Sequence, residues 1–214
     1  MVGEAPRHIV QFSGGHGSWA AAKRAVEAVG TDGMVLLFAD TLIEDQDTYR
    51  FLIEGGANIF DADKPVDLMQ RASDLPEPTL EHMPERRRLL ADLRADTNER
   101  FPFFRWIAEG RTPHEVFKDV RFLGNSRIDP CSKKLKRELI DHWKSEHCDR
   151  EQTACYVGID WTEKHRYAIL ASRWPAIGWR DGCTDVSLTS QCRRSRRSRV
   201  GRSALAYRHQ SSRA

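Results

Sequence analysis

The chain has 214 residues, 40% of them apolar, with 34 Lys and Arg against 31 Asp and Glu for a net charge of +3; that length accommodates one α/β domain with a sizeable core. Eight of the positive charges (Arg193, Arg194, Arg196, Arg197, Arg199, Arg202, Arg208 and Arg213) fall in the last 22 residues, and without them 26 cations face 31 anions, a net −5. The body is therefore mildly acidic, and the basic balance belongs to the end of the chain rather than to a nucleic-acid face.

The apolar strand His8 to Phe12 runs into the loop Ser13-Gly14-Gly15-His16-Gly17-Ser18, and an Ala-rich helix follows from Ser18 to Val29, with Gly30 as its stop. Met34 to Ala39 is continuously apolar, the pattern of a parallel strand covered on both faces, and Asp40-Thr41 ends it. Asp47 to Glu54 is expected to be helical, Gly55-Gly56 to break that helix, and Ala57 to Phe60 to form a third strand. Prolines 76, 78 and 84 mark a loop, followed by a charged helix from Glu85 to Arg100 that reads as a lid or linker. Phe101, Phe103, Phe104 and Trp106 form an aromatic cluster that fits a core better than a nucleobase platform. Pro130 to Lys144 reads as a basic helix, and Ala154 to Ile159 as a last apolar strand.

The alternation of strands and helices predicts an open, doubly wound parallel sheet of about five strands with helices on both faces, spanning residues 1–178. From Trp179 onward the chain becomes an Arg/Ser-rich tail that cannot bury a core. A nucleic-acid-binding arm, a simple disordered tail and an altered reading frame are its three explanations, and the lack of interleaved aromatics disfavours the first. No stretch approaches the roughly 20 apolar residues that cross a bilayer, and Met1 to Arg7 lacks a signal-peptide core, so a cytoplasmic protein without a membrane partner is expected. Cys131, Cys148, Cys155, Cys183 and Cys192 are odd in number and contain no Cys-x-x-Cys, which fits reduced thiols. Zinc held by Cys148, Cys155 and His142 or His147 matches no common metal spacing, and no metal site is assigned.

Three glycines between a strand and a helix let the backbone approach an anion, and the helix start offers N–H groups and a positive dipole end. The loop is neither a Walker loop nor Gly-x-Gly-x-x-Gly. Ser13 and Ser18 add hydroxyls, while His16 either touches a phosphate or caps the turn. In open parallel sheets ligands bind at the carboxyl ends of strands, where Ser13–Ser18, Asp40-Thr41 and Gly158-Ile159-Asp160 are all expected. The cations around Asp129-Pro130-Cys131-Ser132-Lys133-Lys134-Leu135-Lys136-Arg137 can grip phosphate or sulfate, or form an ordinary solvated face. Cys131, at a helix start beside lysines, is expected to have a lowered pKa, or else to be a small packing residue. Asp160 and Glu163 can be a metal pair, or a carboxylate can pair with Arg166.

The set Ser13-Gly14-Gly15-x-x-Ser18, Phe38-x-Asp40-Thr41, Asp129-Pro130-Cys131-Ser132-x-x-Leu135-Lys136-Arg137 and Gly158-Ile159-Asp160-x-x-Glu163-x-x-Arg166 resembles the PP-loop family of adenine nucleotide α hydrolases. Within it, the nearest look is to phosphoadenosine phosphosulfate (PAPS) reductase-like proteins, over about Ile9 to Arg166. The resemblance implies a Rossmann-like sheet that binds ATP or PAPS, with Ser13, Gly14, Gly15, His16, Gly17 and Ser18 around the phosphates and Asp40-Thr41 at the adenosine. It also implies that Lys133, Lys136, Arg137 and Arg166 neutralise phosphate or sulfate, that Glu163 orients Arg166, and that Gly158 and Asp160 line the cofactor site. Cys131, Lys136 and Arg166 would be its catalytic residues. Mg²⁺, an unidentified acceptor and pairing as a homodimer follow from the same likeness, with adenylation and pyrophosphate release as the reaction. Three departures stand out. Gly17 occupies a position where ATP-using members carry Asp, Asp160 one where reductase-like members often have Arg, and neither Cys183 nor Cys192 has a Glu-Cys-Gly-Leu context. A non-catalytic nucleotide-binding subunit, a PAPS reductase-like oxidoreductase and a nucleic-acid-modifying protein are the rival expectations.

Overall fold

Strands β1 (His8–Gln11) and β2 (Met34–Asp40) flank helix α1 (His16–Val29) and lie side by side in parallel, Val10 opposite Leu36. Ile9, Val10, Leu36 and Leu37 are all fully buried, as two-sided coverage of a parallel sheet requires. The computed structural model describes residues 6–124, 129–149, 152–160, 177–179 and 185–191.

Helix α2 (Gln46–Ile59) starts at Asp45, whose carboxylate accepts from the Asp47 N–H at 2.8 Å, and it continues through Gly55-Gly56 to Ile59. The strand expected at Ala57 to Phe60 is therefore the last turn of this helix. The two glycines serve packing here: a Cβ on Gly55 would lie 3.2 Å from the Trp19 ring and 3.4 Å from Phe12, and one on Gly56 would lie 3.6 Å from Phe104. Lacking side chains, they let α2 press onto the sheet, and tertiary contact overrides their low helix propensity. Helix α3 (Val66–Ser73) follows, unforeseen from the sequence, and α4 (Met83–Arg100) matches the expected charged helix with two residues added at its start.

The aromatic cluster supplies strand β3 (Phe104–Ala108), with Phe101, Phe104 and Trp106 buried and Phe103 stacked on Phe60 at 4.0 Å between ring centroids. Helix α5 (Pro113–Val120) opens with a full capping box between Thr112 and Glu115. The basic segment becomes a π-helical stretch, Ser132–Glu138, that runs straight into α6 (Leu139–His147). Strands β4 (Ala154–Asp160), β5 (Ile177–Trp179) and β6 (Asp185–Gln191) complete the described elements.

The sheet order is β3-β2-β1-β4-β6-β5. Strands β1 to β4 are mutually parallel, whereas β6 runs antiparallel to β4 and β5 antiparallel to β6. The fold is α/β with an open sheet and is compatible with a Rossmann-like description, but its parallel part has four strands rather than about five. After β4 the chain returns alongside it, and an antiparallel return needs no crossover helix. Although the sequence starts the tail at Trp179, Asp185–Gln191 still belongs to the sheet; residues beyond 191 lie outside the described ones.

Side chains alternate between the two faces of the sheet. Val10, Leu36, Phe38, Phe104, Trp106 and Tyr156 share one face and form a single core with residues of α1 to α4. Leu135, fully buried, anchors the π-helical stretch, which packs with α6 against β2. At the outer margin of the parallel strands, the Asn98 side chain of α4 acts as a surrogate strand for β3. Its Oδ1 accepts from the Trp106 N–H at 2.7 Å and its Nδ2 donates to the Trp106 carbonyl at 2.9 Å. An edge closed in this way is poorly suited to pairing with another chain. Asn98→Ala should cost roughly 1–3 kcal/mol, because both backbone groups of Trp106 lose their partners; urea unfolding of the two proteins measures this, and an unchanged midpoint would refute it.

Candidate functional site

The chain turns from β1 to β2 to β3 on one side of β1 and then places β4 on the other, so strand order reverses between β1 and β4. The loop Ser13–Ser18 sits at the carboxyl end of β1, at this switch point, where open α/β sheets form a crevice. Gly14 has φ +78°, and a Cβ there would lie 2.8 Å from Thr48 Cγ2 at the start of α2. On the opposite side, a Cβ at Gly158 of β4 would lie 2.6 Å from the Gly17 carbonyl oxygen. Only glycines at both points let the loop nest between α2 and β4.

Ser18 is buried and holds the loop shut. Its hydroxyl accepts from the Ser13 N–H at 3.2 Å and donates to the Gly15 carbonyl at 2.8 Å. The structure thus places Ser18 inside the loop rather than at its mouth, while Ser13, Gly15 and His16 are exposed. His16 lies 6.1 Å from the Trp19 ring, centroid to centroid. Gly15 is the N-cap of α1 and no side chain caps that end, the condition under which a helix start takes an anion.

At the end of β2, Asp40 is 1% exposed and turns inward. Its Oδ1 accepts from the Leu42 N–H and the Tyr49 hydroxyl, both at 2.7 Å, and its Oδ2 accepts from Trp106 Nε1 at 3.0 Å. Burial raises the Asp40 pKa, opposed by those hydrogen bonds from Tyr49, Leu42 and Trp106. Tyr49 is pushed well above the usual phenol range, by burial first and then by the Asp40 charge. The Asp40 carboxylate is thus committed to the protein's own donors, whereas the sequence places it at an adenosine.

That turn is held from both faces of the sheet. From α4, the fully buried Arg86 donates to the carbonyls of Leu42 (3.1 Å), Glu44 and Pro76, with its guanidinium 5.5 Å from the Tyr49 ring centroid. From the π-helical stretch, Lys136 Nζ reaches Glu44 Oε1 at 3.3 Å, and the same oxygen accepts from the Thr41 hydroxyl at 3.1 Å. Leu42 between them has φ +68°, a left-handed conformation that costs a Leu of order 1 kcal/mol and persists only where the surroundings enforce it. Sequence reasoning missed Glu44, Tyr49 and Arg86. Arg86 stands in the run Arg86-Arg87-Arg88, where nothing marks one arginine as buried, and Glu44 offers no motif at all.

The other expected cations are arranged differently. Lys133 and Lys134 both pair with Glu138 on the exposed side of their own segment, and Asp129 is held below its usual range first by hydrogen bonds from Cys131 and the Ser132 N–H and only then by exposed Arg137. Of the three lysines in this segment, Lys136 is the one the structure brings to the turn after β2. Cys131 Sγ donates to Asp129 Oδ1 at 3.0 Å, and its pKa is raised, by burial first and then by Asp129, which reverses the lowered value expected from its lysine neighbours. Lys133 points to Glu138 instead of toward the sulfur, so the nearest charge is negative. The backbone of Asp160 ends β4, while Glu163 and Arg166 lie outside the described residues.

Cys148 is pushed up to about 11 by burial and by neighbouring Cys155. His142 pairs with Glu146, and His147 stacks on Trp143. Among the described residues no group of three or more His, Cys, Asp and Glu is placed to hold a metal ion, and no helix is long and apolar enough to cross a membrane. No family model matches the chain, and neither the curated proteins nor the solved structures give a match.

Asp40→Asn keeps the size of the side chain but sets an amide NH2 against the indole N–H of Trp106, at an expected cost of roughly 1–3 kcal/mol. Because the Asp40 pKa is raised in the fold, its protonation favours the folded state. This contribution is complete below the ordinary carboxyl range and is lost as pH rises through the folded value. With unfolding followed from pH 3.5 to 8, the stability of the wild type minus that of the variant should fall as pH rises, because the other carboxylates contribute equally to both. For the thiol, Asp129→Asn should speed iodoacetamide modification of Cys131 at pH 8, since removing the negative charge lowers the pKa; an equal or slower rate would contradict that cause.

Proposed function

We propose that the chain binds an adenine nucleotide at the carboxyl edge of its parallel sheet, and that it is a PP-loop-type enzyme acting at the α-phosphate or carrying out a sulfonucleotide-type transfer. The observation that carries this reading is the uncapped, glycine-built start of α1, wedged at the strand-order reversal between Gly158 and α2. Backbone N–H groups of the first turn of α1 and the Ser13 hydroxyl would receive the phosphates, and Lys136, at the turn after β2, would supply a cation at the same edge of the sheet. The turn Thr41–Glu44, fixed by Arg86, would face the rest of the nucleotide through its backbone.

In the adenylating form of the reaction, an acceptor oxygen displaces pyrophosphate from the α-phosphorus, and the protein's part is to align the two and neutralise developing charge. Mg²⁺ would supply charge neutralisation at the phosphates; such ions are commonly held by the phosphates themselves plus one or two carboxylates. The acceptor, the choice between ATP and PAPS, and pairing of two copies belong to this reading as proposals of the same standing. Gly17 in place of an acidic loop residue favours a second reading, nucleotide binding without turnover, and the raised pKa of Cys131 weighs against a thiolate-dependent reductase.

The deciding experiment is incubation of the chain with α-labelled ATP and Mg²⁺, resolving AMP, ADP and adenylylated species. Ser13→Ala and Lys136→Met serve as variants because both side chains lie outside the core. AMP or an adenylylated product, reduced at least tenfold in both variants, is the expected outcome. Saturable binding without product selects the second reading, whereas ADP as the product, or no binding, overturns the proposal.

A further inference from the structure

Thr41 and Lys136, both placed at the proposed ligand edge, are occupied by the same atom. Glu44 Oε1 accepts from the Thr41 hydroxyl at 3.1 Å and from Lys136 Nζ at 3.3 Å. A carboxylate oxygen taking one hydroxyl and one ammonium is the arrangement a phosphate oxygen would adopt against these two donors. Neither donor has another acceptor among the described contacts, so both are committed to Glu44. The clasp is partly open to solvent, with the Lys136 side chain 40% and the Glu44 side chain 27% exposed, so it is weak enough to be opened. The Glu44 backbone, by contrast, is fixed from below by Arg86, which keeps the carboxylate close when its side chain is displaced.

We infer that Glu44 is an internal competitor for the anion position of the site, and that the ligand class able to displace it is an oligophosphate. This rests on the nucleotide reading above. A single carboxylate or sulfate would exchange one anion for another at Lys136 and gain little, while the displaced Glu44 would remain nearby and repel it. A di- or triphosphate carries more charge and further oxygens, which under the nucleotide reading would be taken by the uncapped start of α1 and the Ser13 hydroxyl and so offset the lost clasp. Glu44 thereby sets a threshold: anions that engage Lys136 alone are rejected, and those that span Lys136 and the glycine loop are admitted. It acts by competition and takes no part in holding the ligand.

Titration calorimetry of the full chain with inorganic pyrophosphate, at low ionic strength and with divalent cations removed, tests this. Glu44→Gln should bind pyrophosphate two- to five-fold tighter than the wild type, the change expected for releasing an exposed ion pair of roughly 0.5–1 kcal/mol. Lys136→Met should weaken pyrophosphate binding, and the gain from Glu44→Gln should shrink on that background. Glu44→Gln binding pyrophosphate equally or more weakly, while the wild type binds, overturns the competitor and leaves the nucleotide reading standing. A gain undiminished by Lys136→Met also overturns it, since simple repulsion would then suffice. Absence of binding by both wild type and Glu44→Gln, with wild-type thermal unfolding retained, overturns the competitor, while the ATP and Mg²⁺ experiment decides the nucleotide reading separately.

Discussion

A single buried carboxylate organises this molecule. Asp40 ends β2 with almost no exposed surface, and such a group is tolerated only when hydrogen-bonded on all sides. Its donors come from three separate elements: the Leu42 N–H of the following turn, the Tyr49 hydroxyl of α2 and the indole N–H of Trp106 in β3. Satisfying one carboxylate therefore fixes the angle of α2, the register of β3 beside β2 and the path of the chain beyond the sheet. The aromatic rings that carry two of those donors also pack on each other, Tyr49 stacked on Trp106 at 5.3 Å and Phe38 edge-on to both. Polar satisfaction and core packing are thus the same set of contacts, and neither can be altered alone.

Arg86 extends this constraint to the edge of the sheet. A buried guanidinium needs several acceptors, and its planar fork suits carbonyls presented by an irregular loop. It takes those of Leu42, Glu44 and Pro76, which binds the turn after β2 to the loop before α4 and maintains the left-handed Leu42. With the turn pinned from α4 and touched by Lys136 from the opposite face, the edge is firm in its backbone and adjustable only at exposed side chains. In the proposed reading, the glycine loop and turn set the geometry of the site, while Glu44, Lys136 and Ser13 are the side chains that would meet a ligand.

The first glycine loop, α1, β2 and β4 were legible from the sequence because each rests on a local pattern, an apolar run or a run of glycines. The reading failed where residues serve distant partners. Gly55-Gly56 carry a breaker signal, yet α2 continues through them because Phe12, Trp19 and Phe104 need room. Cys131 has lysines next to it in sequence, but in space its nearest charge is Asp129. Asp40 was found as a site residue, whereas its role in the core was invisible, since its three donors stand two, nine and 66 positions away.

The sequence by itself determined the α/β alternation, the position of the anion-friendly loop between β1 and α1, and the aromatic core at Phe101 to Trp106, all set by short-range hydrophobic and backbone preferences. Only the tertiary structure decided the strand order that makes the β1/β4 reversal, the antiparallel return after β4, the burial of Arg86 and the meeting of Thr41, Glu44 and Lys136. The reason is physical. Local patterns specify which face of an element avoids water, but which buried charge meets which donor is settled by packing between elements far apart in the chain, where the cost of an unpaired group selects a single arrangement.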